Sequence, residues 1–154
     1  LATLNCGSDC GNLPTILEMA TRKGVEDLVK YVGFVPDEQM SQYYKQSLAL
    51  VMPSYFGPTN MPPLEAFALN TPVIVSDLPG IRDQVGDAAM LVSPDKPEEL
   101  GKAIALLSND VNIRKALVTK GRKRLSSFSD KDRLSTLRDI FNSYDRKRLC
   151  WSIE

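Results

Sequence analysis

Five short apolar runs with β-branched character constrain this chain more than any other feature: Leu1 to Leu4, Leu28 to Phe34, Leu48 to Met52, Pro72 to Val75 and Ala89 to Val92. Each has the length of a strand, and none alternates apolar with polar residues as a strand with one wet face does. A continuous apolar run is a strand covered on both sides, the usual setting of a parallel sheet. Parallel neighbours need long crossovers, and the segments between the runs carry helical spacing. The fold class expected is α/β, built on a doubly wound parallel sheet.

The first crossover offers Asn12 as a cap, Pro14 in the first turn, apolar positions at Leu13, Ile16, Leu17 and Ala20, and Gly24 where a left-handed residue ends a helix. A second helix is predicted from Asp37, with Met40, Tyr43 and Tyr44 on one side. A third, short one reads "PPLEAFALN", with Pro62 and Pro63 in its first turn, where a missing N–H costs nothing. After Val92 only helical stripes follow: Leu100, Ala103, Ile104 and Leu107; then Ile113, Leu117 and Leu125; then Leu134, Leu137, Phe141 and Tyr144.

At 154 residues and 43% hydrophobic content the chain can bury one sizeable core, and without repeats or a low-complexity linker it is read as one domain over residues 1–154. The 19 basic residues balance 19 acidic ones, so no net field draws in nucleic acid. The basic cluster "KGRKRL", Lys120 to Leu125, is read as a solvated helix face. No apolar run approaches the roughly 20 residues of a membrane span, and no signal peptide is evident, so the cytoplasm is the expected compartment. Cys6, Cys10 and Cys150 are an odd set, read as free thiols and not as a disulfide framework or a four-ligand zinc site. The chain has no histidine, which excludes Ser-His pairs, histidine metal ligands and histidine bases.

In open α/β sheets ligands bind where strand ends lead into helix starts. The stretch "YFGPTNMPPLEAFALN" is such a place: the run ending at Met52 passes through Gly57, Pro58, Thr59, Asn60 and Met61 into the proline-started helix. Unpaired first-turn amides and the helix dipole suit an anion there. Gly57 allows close backbone approach, and Thr59 and Asn60 offer a hydroxyl and an amide to phosphate or sugar oxygens. Glu65 follows in the first or second turn, a carboxylate able to accept two hydrogen bonds from a vicinal diol such as ribose. Acidic residues also sit near helix starts simply to complement the dipole, and spacing alone does not separate the two roles. Asn70 is read as a left-handed cap.

The edge "GFVPDEQM" could contact a base through the backbone of Phe34 and Val35, with Met40 packing on the ring. The edge "VSDLPGIRDQVGD" holds Asp77, Gly80 and Arg82. Asp77 resembles the phosphoacceptor of a receiver domain, but the acidic pair and the later lysine of such a domain are not evident.

Taken together, "GFVPDEQM", "SLALVMPS", "GPTNMPPLEAFALNTPVIVSDLPG" and "VGDAAMLVSPDKPEEL" resemble the donor-binding domain of retaining glycosyltransferases of group 1, which have the two-Rossmann-domain B-type fold. The similarity runs in consistent order from Asn5 to Leu107. In that family the loop reads approximately E-x-F-G-x-P-x-x-E. The resemblance implies that Glu65 matches the second glutamate, which binds the nucleotide's ribose, and that Pro58 to Met61 supply amides to phosphate and sugar. The first glutamate falls on Gly57, which has no side chain, and the usual glycine before the next strand is Asn70.

The resemblance implies a carboxy-terminal domain that binds an NDP-sugar without a metal, in an enzyme that moves a hexose to an acceptor hydroxyl with retention. It also implies a fragment: the amino-terminal acceptor domain and the first strand-helix unit, whose arginine and lysine bind the diphosphate, are expected outside this chain. The fragment alone is expected to be inactive, and the whole protein could associate peripherally with a membrane. Leu149, Cys150 and Trp151 are read as apolar surface for the other domain. Two other functions share the fold and donor site, an NDP-sugar 2-epimerase half and a non-catalytic nucleotide-sugar-binding module.

Overall fold

The structure is a computed structural model and describes residues 2–7, 11–55, 60–128, 134–141 and 143. Its contacts divide the chain into two compact units, Leu1–Gln46 and Ser47–Glu154. The apolar core expected of one domain lies in the second: of the buried apolar residues described, all but Ala20 and Val35 belong to it.

In the first unit β1 (Thr3–Cys6) and β2 (Val29–Gly33) pair in parallel, Thr3 opposite Val29 and Asn5 opposite Tyr31. The crossover between them is α1 (Leu13–Arg22) and a 3₁₀ turn, Glu26–Leu28. Helix α1 ends as its sequence predicts: Gly24 is left-handed at φ 63, its N–H bonds to Thr21 O and that of Val25 to Ala20 O. Its start differs from expectation. Asn12 occupies the cap position with helical backbone angles, φ −90 and ψ −11, from which its side chain makes no cap bond. Helix α2 (Asp37–Gln46) begins at the expected residue, and Met40, Tyr43 and Tyr44 are its half-buried side.

In the second unit β3 (Leu50–Met52), β4 (Val73–Ser76) and β5 (Met90–Val92) form a parallel sheet in that order. Ile74 joins Val92, Ala103, Leu107 and Leu117 in the core cluster, so it faces the helices that follow the sheet. Val73 and Val75 point to the opposite face and are also fully buried, so both faces are covered at β4, as its unbroken apolar run required. Each such side chain contributes about 1.5–3 kcal/mol by leaving water.

The crossover from β3 to β4 is α3 (Met61–Ala68), that from β4 to β5 is α4 (Pro79–Val85), and α5 (Pro97–Asn109) and α6 (Val111–Ser126) follow. Helix α4 was not separated from loop by periodicity, because Pro79 and Gly80 fill its first turn. Helix α3 ends in a Schellman motif: Asn70 N–H bonds to Phe67 O and Thr71 N–H to Ala66 O, with Asn70 left-handed at φ 61. Residues 134–141 are helical, and the apolar positions Leu134, Leu137 and Phe141 are exposed. Tyr144, Cys10, Leu149, Cys150 and Trp151 lie outside the described residues.

The basic cluster has an internal use that its composition did not reveal. Lys120 pairs with Asp87 at 3.0 Å, Arg122 donates to the Asn70 side-chain oxygen, and Arg124 donates to the carbonyls of Asp83 and Gln84 and stacks on Phe128. These cations fasten α6 to the ends of α3 and α4.

Candidate functional site

The β3–α3 connection is anchored on both sides of residues 56–59. Before it, the Tyr55 hydroxyl lies 3.1 Å from the carbonyl of Pro94 and 3.0 Å from Asp95 Oδ1. The hydrogen bond to the Asp95 carboxylate holds the phenol protonated, raising its pKa above the ordinary value. After it, Gln84 of α4 grips the backbone of Asn60 twice: Asn60 N–H donates to Gln84 Oε1 at 3.1 Å, and Gln84 Nε2 donates to Asn60 O at 2.7 Å. Gly57, Pro58 and Thr59 of the predicted site lie outside the described residues.

Asn60 is extended, φ −108 and ψ 129, and its side chain makes no cap bond to α3. The mouth of α3 nevertheless holds fewer amides than expected. Pro62 and Pro63 carry no N–H, and that of Asn60 is taken by Gln84. The first-turn amide with no described acceptor is that of Met61, a residue 64% exposed.

Glu65 is exposed and stands in the second turn, with no acidic residue in the first. The dipole effect fades within one turn, so dipole complementation accounts poorly for a carboxylate there. Met61 and Glu65 are four residues apart, hence on one helix face and about 6 Å apart along the axis. An amide donor at the helix mouth and a carboxylate acceptor one turn behind it can hold an anion and a hydroxyl pair of the same ligand.

At the carboxyl ends of β3 and β4, the hydroxyls of Ser54 and Ser76 are buried without a partner among the described residues. At the next edge Arg82 binds Asp77 with both its Nε and Nη2, at 2.6 to 2.8 Å. That hydrogen bonding raises the Arg82 pKa above its ordinary value and occupies the aspartate that resembled a phosphoacceptor.

The remaining predicted residues are in the first unit. Phe34 follows β2 and is 88% exposed, Val35 is buried, and Met40 is half-buried in α2. Cys6 is a free thiol at the end of β1, its pKa raised by partial burial. Among the described residues no group of His, Cys, Asp and Glu is arranged to hold a metal ion, and no helix is long and apolar enough to cross a membrane.

Gln84 and Tyr55 were not singled out by sequence reasoning. Their roles come from contacts 24 and 39 residues away in the chain, which local spacing does not encode. An open groove of about 520 Å³, lined by Asn70, Pro72, Arg114 and Lys115, lies at the amino-terminal ends of β3 and β4, away from the edge where ligands bind in such sheets.

Parallel strands joined by helices make this an α/β protein of the B-type glycosyltransferase fold. The solved structure of Anabaena Alr3699/HepE in complex with UDP-glucose matches 92% of this chain and 41% of its own, with a TM-score of 0.78 and 19% identity. The C-terminal domain of a glycosyl transferase group 1 family protein from Francisella tularensis matches 76% of this chain and 63% of its own, with a TM-score of 0.65 and 19% identity. The family pattern of glycosyl transferases group 1 matches residues 7–124, and the chain belongs to that family. It is 28% identical over 114 residues to O-antigen chain mannosyltransferase B of Escherichia coli, a match covering 74% of this chain and 29% of that enzyme. The chain spans from 25% to 34% of the length of the curated relatives it matches.

Proposed function

We propose that this chain is the carboxy-terminal donor-binding domain of an enzyme that transfers a hexose from an NDP-sugar to an acceptor hydroxyl with retention. The observation that carries the reading is the placing of the Met61 amide at the mouth of α3 with the exposed Glu65 one turn behind it. In this reading Glu65 accepts hydrogen bonds from the ribose hydroxyls, while Met61 and the loop from Gly57 to Asn60 face the diphosphate. The chemistry is electrostatic and needs no metal: fixed dipoles and cations stabilise the departing diphosphate. The acceptor domain and the first strand-helix unit belong to the rest of the full-length protein. Gly57 offers the donor sugar no carboxylate, so other groups hold it.

Calorimetric titration of UDP, GDP and ADP into the full-length protein and its Glu65→Ala variant tests the assignment. Losing two charge-assisted hydrogen bonds is expected to weaken nucleotide binding at least about tenfold. Because Glu65 is exposed, the variant is expected to stay folded, with a melting temperature within a few degrees of wild type. Equal affinity in the variant removes the ribose role. A donor panel on the full-length protein then distinguishes transfer from epimerisation and from binding without turnover.

A further inference from the structure

We infer that Gln84 is a positioning residue for the donor diphosphate, acting through the backbone of Asn60; this rests on the donor-site reading above. The carboxamide of Gln84 makes two hydrogen bonds to one residue, accepting from its N–H and donating to its C=O, as a neighbouring strand would. Both contacts are to backbone, so they fix the conformation of Asn60 whatever side chain stands there.

Gln84 is itself held in place. Arg124 of α6 donates to its carbonyl at 3.0 Å, and its neighbour Val85 and Ile81 of the same helix are fully buried. The rigidity of α4 is thereby handed to the loop end at Asn60, whose own side chain makes no cap bond. The extended angles of Asn60 set the plane of the peptide that follows, and that peptide carries the Met61 N–H. Gln84 thus sets the aim of the remaining first-turn donor while its own polar atoms are spent on Asn60. A donor held in advance costs less to order when an anion binds.

The test uses the full-length protein, whichever of UDP, GDP and ADP it binds, and the matching nucleoside as a probe without phosphate. Gln84→Met keeps the volume and removes both hydrogen bonds. Its affinity for the diphosphate is expected to fall at least tenfold by calorimetry, while nucleoside binding by saturation-transfer NMR is unchanged. Glu65→Ala should weaken both ligands. Gln84→Glu supplies a second readout: a protonated carboxyl has the donor and acceptor of the amide, whereas the carboxylate has no donor. The ratio of its diphosphate affinity to wild type should therefore recover as pH falls through the titration of that carboxyl.

Wild-type diphosphate affinity in Gln84→Met, or equal loss of diphosphate and nucleoside, overturns the inference. If Gln84→Met does not fold, a pH-independent ratio in Gln84→Glu does the same. Glu65→Ala without effect on either ligand points instead at the donor-site reading, and no binding by the wild-type protein overturns both.

Discussion

Gly121 of α6 lies so close to Phe67 of α3 that a β-carbon on the glycine would stand 2.7 Å from the ring's Cδ1. The ring is buried and cannot swing aside, so the two helices meet where no methyl fits. Alanine in a helix interior is favoured over glycine by about 1 kcal/mol, but overpacking a filled site costs roughly 1–3 kcal/mol. Gly121→Ala is therefore expected to lower stability by about 1 kcal/mol, seen as a lower melting temperature. Combining it with Phe67→Leu should cost less than the sum of the two changes, since the smaller side chain vacates the contested space. A more stable Gly121→Ala protein would contradict the packing.

The turn after α3 gives an order of residues at position 70. Asn70 has φ 61, and Arg122 donates to its side-chain oxygen. Glycine adopts this conformation without steric cost, whereas alanine pays about 1–2 kcal/mol for it. Stability is expected to rank Gly and Asn together, above Ala. Urea denaturation of the three proteins checks it, and an Ala variant equal to the Asn protein would refute the conformational argument.

Ser76 supports a prediction of opposite sign. Its hydroxyl is fully buried at the end of β4 and has no partner among the described residues. Leaving such a group unpaired costs about 1–3 kcal/mol, so Ser76→Ala is expected to be neutral or stabilising by about 1 kcal/mol. A melting temperature several degrees below wild type would mean that the hydroxyl is paired in the working protein.

How much of this was legible beforehand follows from the range of each interaction. β4 was readable because burial on both faces writes a continuous apolar run into the chain, at Val73 to Val75, whereas β1 and β2 carry similar runs although most of their residues are exposed. Gly24 and Asn70 were readable because left-handed backbone selects few residue types. The amide supply at α3 was overestimated: the missing N–H groups of Pro62 and Pro63 cost the helix nothing but were not subtracted from the donors open to an anion, and the Gln84 side chain reaches Asn60 from an element 24 residues away. The basic cluster likewise reads as solvated until tertiary structure brings Asp87, Asn70 and the end of α4 to it.

Acid sensitivity follows from Glu99. Its carboxylate accepts from the Ser93 N–H at 2.9 Å and pairs with Lys96 at 3.3 Å, the first being the larger cause that lowers its pKa below the ordinary value of 4.5. Asp87 is lowered in the same direction by its hydrogen bond to Lys120, from 3.8. A lowered folded-state pKa means that the unfolded chain binds the proton first as pH falls. The stabilisation is therefore complete above the unfolded value and is lost as pH drops through the folded one. Melting temperatures measured from pH 7 down to pH 3 should fall in wild type from near 4.5 downward. Glu99→Gln removes the carboxylate that titrates, so it should start lower at neutral pH and fall less steeply. Parallel profiles for the two proteins would show that the bond from Ser93 does not bias the folded state toward the carboxylate.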